Sequence, residues 1–361
     1  GQCFREAGWY SARVGKIYHM RVPGDIIAGT DGEDIPSSWD ERFNSAGLEA
    51  HTPGHYACLN LNIFTDALDN RQSTRMPHRM FVTVRYDGDG ADQPDSKSAT
   101  KAIEILKEHR DENMFLAVGF FNHYPWETMP LPEAVENDLS DIPQAGLAKT
   151  RNDNNPIGRY PDNQRRMLAG YYATVEFMDK QVGRILDELE QAGLRDSTAI
   201  VFCSDHGYHL GEHGFWQKSN FHEEVTRVPL IIAAPRMTAG RTRSLVELVD
   251  IFPTLTNLVN IKTPSDVQGK SLIPILRNPS QTVRSSALSL HHKGKANNSG
   301  HAIRTRDWAF MHYKDGTEEL YDMEQDPLQF TNLADESQFQ TTKKSLTTQL
   351  QQRLNDAQIN K

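Results

Sequence analysis

Thr198-Ala199-Ile200-Val201-Phe202-Cys203 is continuous and apolar, and it runs straight into Ser204-Asp205-His206-Gly207. A short apolar run without alternation predicts a strand buried on both faces, the kind that inner parallel strands supply. The loop after such a strand is where open α/β sheets bind ligands. Upstream, Asp162–Gln191 carries Leu168, Tyr171, Tyr172, Val175, Met178, Val182, Ile185 and Leu189 along one stripe, which predicts a helix stopped at Gly193. Lys97–Arg110 repeats the helical spacing with Ala99, Ala102, Ile103 and Leu106, and leads into a second apolar run, Met114–Phe121. Downstream, Val228–Ala233 predicts a third strand, and Asp250 is placed to cap a helix over Ile251–Val259 with Pro253 in its first turn. Helix and strand alternate in this way when a mainly parallel sheet is sandwiched by helices. The fold class is therefore α/β, with the three runs expected in one sheet.

After Pro279 the texture changes. Ser285–Leu290, His301–Thr305, Trp308–Tyr313 and Glu319–Tyr321 are short strand candidates, with Lys314-Asp-Gly-Thr317 as a hairpin turn and Gln338–Asn355 as a polar terminal helix. The expected division is a large domain over residues 1–279 and a smaller C-terminal α+β domain over 280–361. The 361 residues carry a formal net charge of −9, which argues against a nucleic-acid binder, because neutralising phosphates needs a cationic face. No apolar run reaches the length of a membrane span. Cys3, Cys58 and Cys203 are odd in number and far apart, so no disulfide framework is expected, and Cys203 reads as a small core residue. Gly1-Gln-Cys-Phe-Arg-Glu6 reads as the middle of a helix without an initiator Met, and the expectation is a chain lacking its N-terminal segment.

Chemistry concentrates in Ser204–Lys218. Asp205 offers a hard oxygen and His206 an imidazole, so the pair can help hold a divalent cation. Gly207 lets the chain turn and approach closely. Lys218, thirteen residues past Asp205, adds a cation to the same loop. An isolated Asp-His-Gly is common in loop turns, and a single lysine is ordinarily a solvated one. The strand before the motif and the crowd of His, Glu, Gly and Lys after it favour a site. His209, Glu212 and His213 read as hydrogen-bonding partners of one another and of the loop backbone.

Thr198–Pro235 resembles the second signature region of sulfatases in the alkaline phosphatase-like superfamily, and within them the iduronate-2-sulfatase-like branch. Ala12-Arg-Val-Gly-Lys-Ile-Tyr-His19 resembles that branch's Val-Gly-Lys-x-x-His segment, and Phe115–Phe121 the strand before its active-site histidine. Tyr172–Ile185, Val246–Leu255 and Glu319-Leu-Tyr-Asp322 with Asp326-Pro327 match in the same order. The resemblance implies that Asp205 and His206 bind calcium, with magnesium the alternative. It implies that Lys16 and Lys218 contact the sulfate, and that Lys16 and His19 flank the nucleophile. His123 would protonate the leaving alcohol; Asn122 stands where the branch has a proline. Formylglycine, made from the cysteine of Cys-x-Pro/Ala-x-Arg, is expected in the missing N-terminal segment, since none of the three cysteines lies in that motif.

The implied function is hydrolysis of sulfate monoesters on a sulfated small molecule or glycan, such as a 2-O-sulfated uronate, in a periplasmic or secreted protein. This chain alone is expected to be inactive. A phosphatase or phosphodiesterase of the same superfamily is one alternative, and a non-catalytic sulfated-glycan-binding protein another. The loops Met129–Pro161 and His291–His301 are where substrate selectivity is expected.

Overall fold

A computed structural model describes residues 1–18, 25, 30–44, 54–59, 62–67, 82–85, 88–120, 131–132, 135, 137–148, 151, 157, 160–218, 220–292 and 299–357. The chain divides into two compact units, residues 1–131 with 155–197, and residues 132–154 with 198–361. The change of texture near Pro279 falls inside the second unit, where it precedes an antiparallel sheet.

In the first unit, helix α1 (Gln2–Glu6) leads into β1 (Tyr10–Val14) and β2 (Glu41–Phe43). Then come β3 (His55–Cys58), β4 (Ile63–Thr65) and β5 (Val82–Arg85), helix α2 (Pro94–Glu108), β6 (Met114–Val118) and helix α3 (Pro161–Gln191). β1 is the centre of a parallel sheet in the order β2-β1-β6, while β4-β3-β5 form a separate antiparallel ladder. Ala12 and Val14 pack against Ala102 and Ile105 of α2, with Ile185 of α3 against the same cluster. Ile105, rather than Ile103, is the fully buried isoleucine of α2. α3 ends where the sequence predicts: Gly193 has φ +68° and the Leu194 N–H donates back to the Leu189 carbonyl at 2.9 Å.

β1 has no strand signature because Arg13 interrupts it. Arg13 is 1% exposed, a position a guanidinium takes only when its donors are met. Its Nε donates to Asp34 Oδ2 at 2.6 Å, Nη2 to Asp31 Oδ1 at 2.8 Å and Nη1 to Asn44 Oδ1 at 2.8 Å. Two carboxylates and an amide thus allow a charged residue inside a central strand.

The second unit runs through β7 (Ile200–Cys203), β8 (His209–Leu210), β9 (Trp216–Gln217), the one-turn helix α4 (Glu223–Thr226) and β10 (Leu230–Ala233). Helices α5 (Ile251–Leu258) and α6 (Ile273–Arg277) follow. Strands β11 (Ser286–His291), β12 (Gly300–Thr305), β13 (Trp308–Tyr313) and β14 (Glu318–Asp322) precede α7 (Gln340–Asp356).

All three apolar runs form strands, but not in one sheet. β7 and β10 pair antiparallel with each other, apart from the β2-β1-β6 sheet. The reason lies in the connection. A parallel return needs a crossover, usually helical, and residues 204–229 hold only a small hairpin and one helical turn. Nor are these strands sealed on both faces. β6 is half-buried throughout, Ile231 of β10 is 62% exposed, and Cys203 is exposed rather than in the core. All three cysteines are free thiols.

β11 to β14 form an antiparallel meander. On one face Ile303, Phe310 and Leu320 pack with Leu346, Leu350 and Leu354 of α7. On the other, Met311, Tyr313 and Tyr321 pack with Phe221. At the expected hairpin turn Gly316 has φ +86° and Asp315 Oδ1 accepts from the Thr317 N–H at 3.0 Å. Asp250 does not cap α5 as its position suggested. Glu247 and Asp250 instead form a reciprocal capping box one turn earlier, which spends the Asp250 carboxylate before α5 begins.

Glu319 is fully buried and accepts from Tyr313 Oη and Tyr321 Oη, each at 2.6 Å. Burial first, and the Glu319 charge second, push both phenols well above 10. A group whose pKa rises on folding stabilises fully below its unfolded value and loses that contribution as pH climbs through the folded one. Stability should therefore fall above about pH 10. In an alkaline absorbance titration, Tyr313 and Tyr321 should ionise only as the chain unfolds. A single reversible step for every tyrosine near pH 10, with the fold intact, would contradict this.

Candidate functional site

β7 delivers Asp205 and His206 at its carboxyl end. Ser204 Oγ donates to the His206 carbonyl at 2.7 Å, and the Gly207 N–H donates to the Val225 carbonyl at 2.8 Å. The loop is thereby pinned to α4. A Cβ at Gly207 would lie 1.9 Å from the Glu224 carbonyl oxygen, so only glycine fits.

His206 Nδ1 lies 2.8 Å from the Gly207 carbonyl oxygen. A carbonyl only accepts, so Nδ1 carries the proton and Nε2 presents its lone pair. That is the tautomer and backbone partner usual for a metal-ligating histidine. Asp205 Oδ2 lies 3.6 Å from Nε2, and its side chain is 71% exposed. Lys218 Nζ donates to the same Nε2. The hairpin β8–β9 makes this return possible, pairing His209 with Gln217 and Leu210 with Trp216 over buried Phe215 and Trp216. The structure thus brings Asp205, His206 and Lys218 side by side.

Asp205 and His206 fit a cation as two of its ligands, one carboxylate oxygen and one imidazole nitrogen. A calcium shell takes about six to eight donors, mostly oxygen, so the pair contributes to it without completing it. No described cysteine sits in a Cys-x-Pro/Ala-x-Arg context, so nothing here fits formylglycine.

Lys16 follows the carboxyl end of β1. Gly15 (φ +71°) and Gly119 let the chain after β1 press against the chain after β6, where a Cβ on Gly119 would lie 2.1 Å from the Lys16 carbonyl oxygen. His19 and His123 lie outside the described residues, as do parts of the Met129–Pro161 and His291–His301 loops.

The other loop residues divide. Glu212 Oε2 accepts from the Leu210 N–H at 2.6 Å, the backbone role expected of it. His213 pairs with Asp138 at 2.9 Å, and His209 Nε2 meets the Asn220 amide rather than His213. Burial, helped by the nearby His222, lowers His209 to about 3 despite its bond to Asn220, so it is neutral. For His213 burial works downward, but Asp138 outweighs it and the net direction is up. His222 and Glu224, which the sequence reading passed over, crowd against His209. A histidine and a glutamate two residues apart just after the signature loop were the available signal.

The family model described as Sulfatase matches residues 40–261, and one described as N-sulphoglucosamine sulphohydrolase, C-terminal, matches residues 211–356. A sulfatase of Formosa agariphila is 27% identical over 359 residues, covering 94% of this chain and 66% of its own length. Human iduronate 2-sulfatase is 30% identical over 323 residues, covering 73% of this chain and 54% of its own. The chain thus spans about half to two thirds of these relatives. A solved structure in complex with its substrate D-glucosamine-2-N,6-O-disulfate superposes with a TM-score of 0.71 at 21% identity, covering 99% of this chain and 82% of that one. The fold is accordingly of the alkaline phosphatase-like class, a parallel sheet with helices followed by a C-terminal antiparallel sheet. Because the Sulfatase match takes in more than half of the sequence, signature loop included, this chain belongs to the sulfatase family.

Proposed function

We propose that this chain is the metal- and anion-holding part of a sulfuric ester hydrolase acting on sulfated sugars or glycans, a 2-O-sulfated uronate among them. The observation that carries the reading is His206. Its Nδ1–H is tied to Gly207, and its Nε2 lone pair faces both the Asp205 carboxylate and the Lys218 ammonium. Asp205 and His206 would hold calcium, or magnesium in its place. A bound divalent cation would offset the negative charge on the sulfate oxygens. Lys218, and by family resemblance Lys16, bind the same oxygens through charge-assisted hydrogen bonds. His19 and His123 take their roles from the resemblance: His19 beside the nucleophile and sulfate, His123 giving a proton to the leaving alcohol. The relatives support a sulfated-sugar substrate, while a periplasmic or secreted location rests on the family resemblance alone.

The single Nε2 lone pair serves either the ammonium or the cation, so a bound cation releases Lys218 to the sulfate and the two functions should separate on mutation. In calorimetric titrations Asp205→Asn should lose calcium binding at least tenfold, while Lys218→Met should keep it and lose at least tenfold in affinity for a sulfated monosaccharide. Calcium affinity unchanged in Asp205→Asn would overturn the proposal. A phosphate ester bound in preference to the sulfate ester would favour a phosphatase instead.

A further inference from the structure

Just beyond the Asp205-His206 pair, three other ligand atoms face one another inside the protein. His209, His222 and Glu224 each bring one ligand atom within 4.8 Å of the others. Both imidazoles are fully buried, and His209 Nδ1, His222 Nδ1 and Glu224 Oε2 are without a hydrogen-bond partner among the described residues. Orphaned polar atoms in an interior are rare, because each forfeits its hydration for nothing. Three in one place are rarer still.

The partners of the opposite ring nitrogens bear on what these atoms offer. His222 Nε2 lies 3.0 Å from Glu319 Oε2, and a buried carboxylate held by Tyr313 and Tyr321 accepts. Nε2 therefore carries the proton, and Nδ1 turns a lone pair inward. His209 Nε2 meets Asn220, 3.0 Å to Oδ1 and 2.8 Å to Nδ2. A metal at Nδ1 selects the arrangement in which the amide oxygen accepts from Nε2–H, leaving His209 Nδ1 a lone pair; with the nearer Nδ2 donating instead, Nδ1 carries the proton until the amide turns over. The third atom belongs to a glutamate, and His209 Nδ1 stands 3.9 Å from it, beyond hydrogen-bond range. With Asn220 Oδ1 accepting, three electron-rich atoms meet here.

We propose that His209, His222 and Glu224 form a buried structural site for a divalent transition metal, zinc first among them. Two imidazole nitrogens and one carboxylate oxygen are donors zinc takes at about 2.0–2.2 Å. Such bonds want ligand atoms about 3.3–3.6 Å apart, so the present spacing must contract by up to about 1.5 Å. The surroundings have the form metal ligands need, with Glu319 orienting His222 and Asn220 orienting His209. With both imidazoles fully buried, the consequence of the site is mechanical. The ion would tie β8 to α4, the same helix to which Gly207 anchors the Asp205-His206 loop. It is chemically unlike the Asp205-His206 site, which is exposed and offers a hard oxygen.

The test is metal content of the folded 361-residue chain after exhaustive dialysis, with the visible absorption of Co²⁺ titrated into zinc-stripped protein. About one zinc per chain is expected, with Co²⁺ bands of a low-symmetry nitrogen and oxygen site. Asp205→Ala should keep both signals, while His222→Ala and the near-isosteric Glu224→Gln should lose at least tenfold in retained zinc and lose the bands. Glu224→Gln carries the test if His222→Ala fails to fold. Folded wild-type chain with less than about one tenth of an equivalent of zinc and no Co²⁺ bands would overturn the site, showing a water-filled cluster. Equal metal in wild type and Glu224→Gln, or loss of zinc in Asp205→Ala alone, would overturn it equally.

Discussion

An alanine at Gly207 is expected to cost about 3 kcal/mol or more of stability and to abolish calcium binding at Asp205 and His206. The added methyl carbon would sit 1.9 Å from the Glu224 carbonyl oxygen and 2.8 Å from its carbon. Both are backbone atoms, so no side-chain rotation relieves the overlap. Relief requires breaking the 2.8 Å bond from the Gly207 N–H to the Val225 carbonyl and moving the loop away from α4. The motif's other residues would survive while their placement is lost. Urea unfolding and a calcium titration measure the two effects. A shift within about 0.5 kcal/mol, the range of a surface substitution, would show that the loop is not pinned.

The second large effect is expected at Asp250, where alanine should destabilise by about 3–5 kcal/mol. Asp250 is fully buried and accepts from the Glu247 N–H at 2.8 Å and the Lys270 N–H at 2.7 Å. Its carboxylate also pairs with the Arg284 guanidinium, through Nε at 3.1 Å and through Nη2. Arg284 in turn holds Glu247 at 2.6 Å, and Glu247 holds Arg353 of α7 at 2.7 Å. Removing the carboxylate leaves a buried guanidinium short of partners and two amides unmet, which costs far more than a surface ion pair contributes. Asp250→Asn should recover part of the loss, because its amide oxygen can still accept from one backbone N–H. Chemical denaturation of both variants measures it, and equal stability for wild type and Asp250→Ala would contradict the network.

What the sequence disclosed tracks how local each signal is. α2, α3 and β11 to β14 were legible because periodicity and turn chemistry lie within a few residues, as with Gly193 and Lys314-Asp-Gly-Thr317. β1 was hidden by Arg13, whose partners Asp31 and Asp34 lie in a distant loop. β7 and β10 were legible as strands but not as an antiparallel pair. An apolar run shows burial, whereas direction depends on what connects it. The gathering of Asp205, His206 and Lys218 could be read because one short hairpin spans them. The His209, His222 and Glu224 cluster could not, since His209 belongs to the hairpin, His222 to the N-cap of α4 and Glu224 to α4 itself.

The most direct measurement is a crystal structure of the chain grown with calcium and a sulfated monosaccharide. The expected result is calcium at about 2.3–2.6 Å from an Asp205 carboxylate oxygen, with His206 Nε2 turned toward it. A sulfate oxygen should lie about 2.7–2.9 Å from Lys218 Nζ. Calcium bound elsewhere with Asp205 in solvent, or an anion that Lys218 does not touch, would contradict the assignment of this loop as the sulfatase's metal and sulfate site.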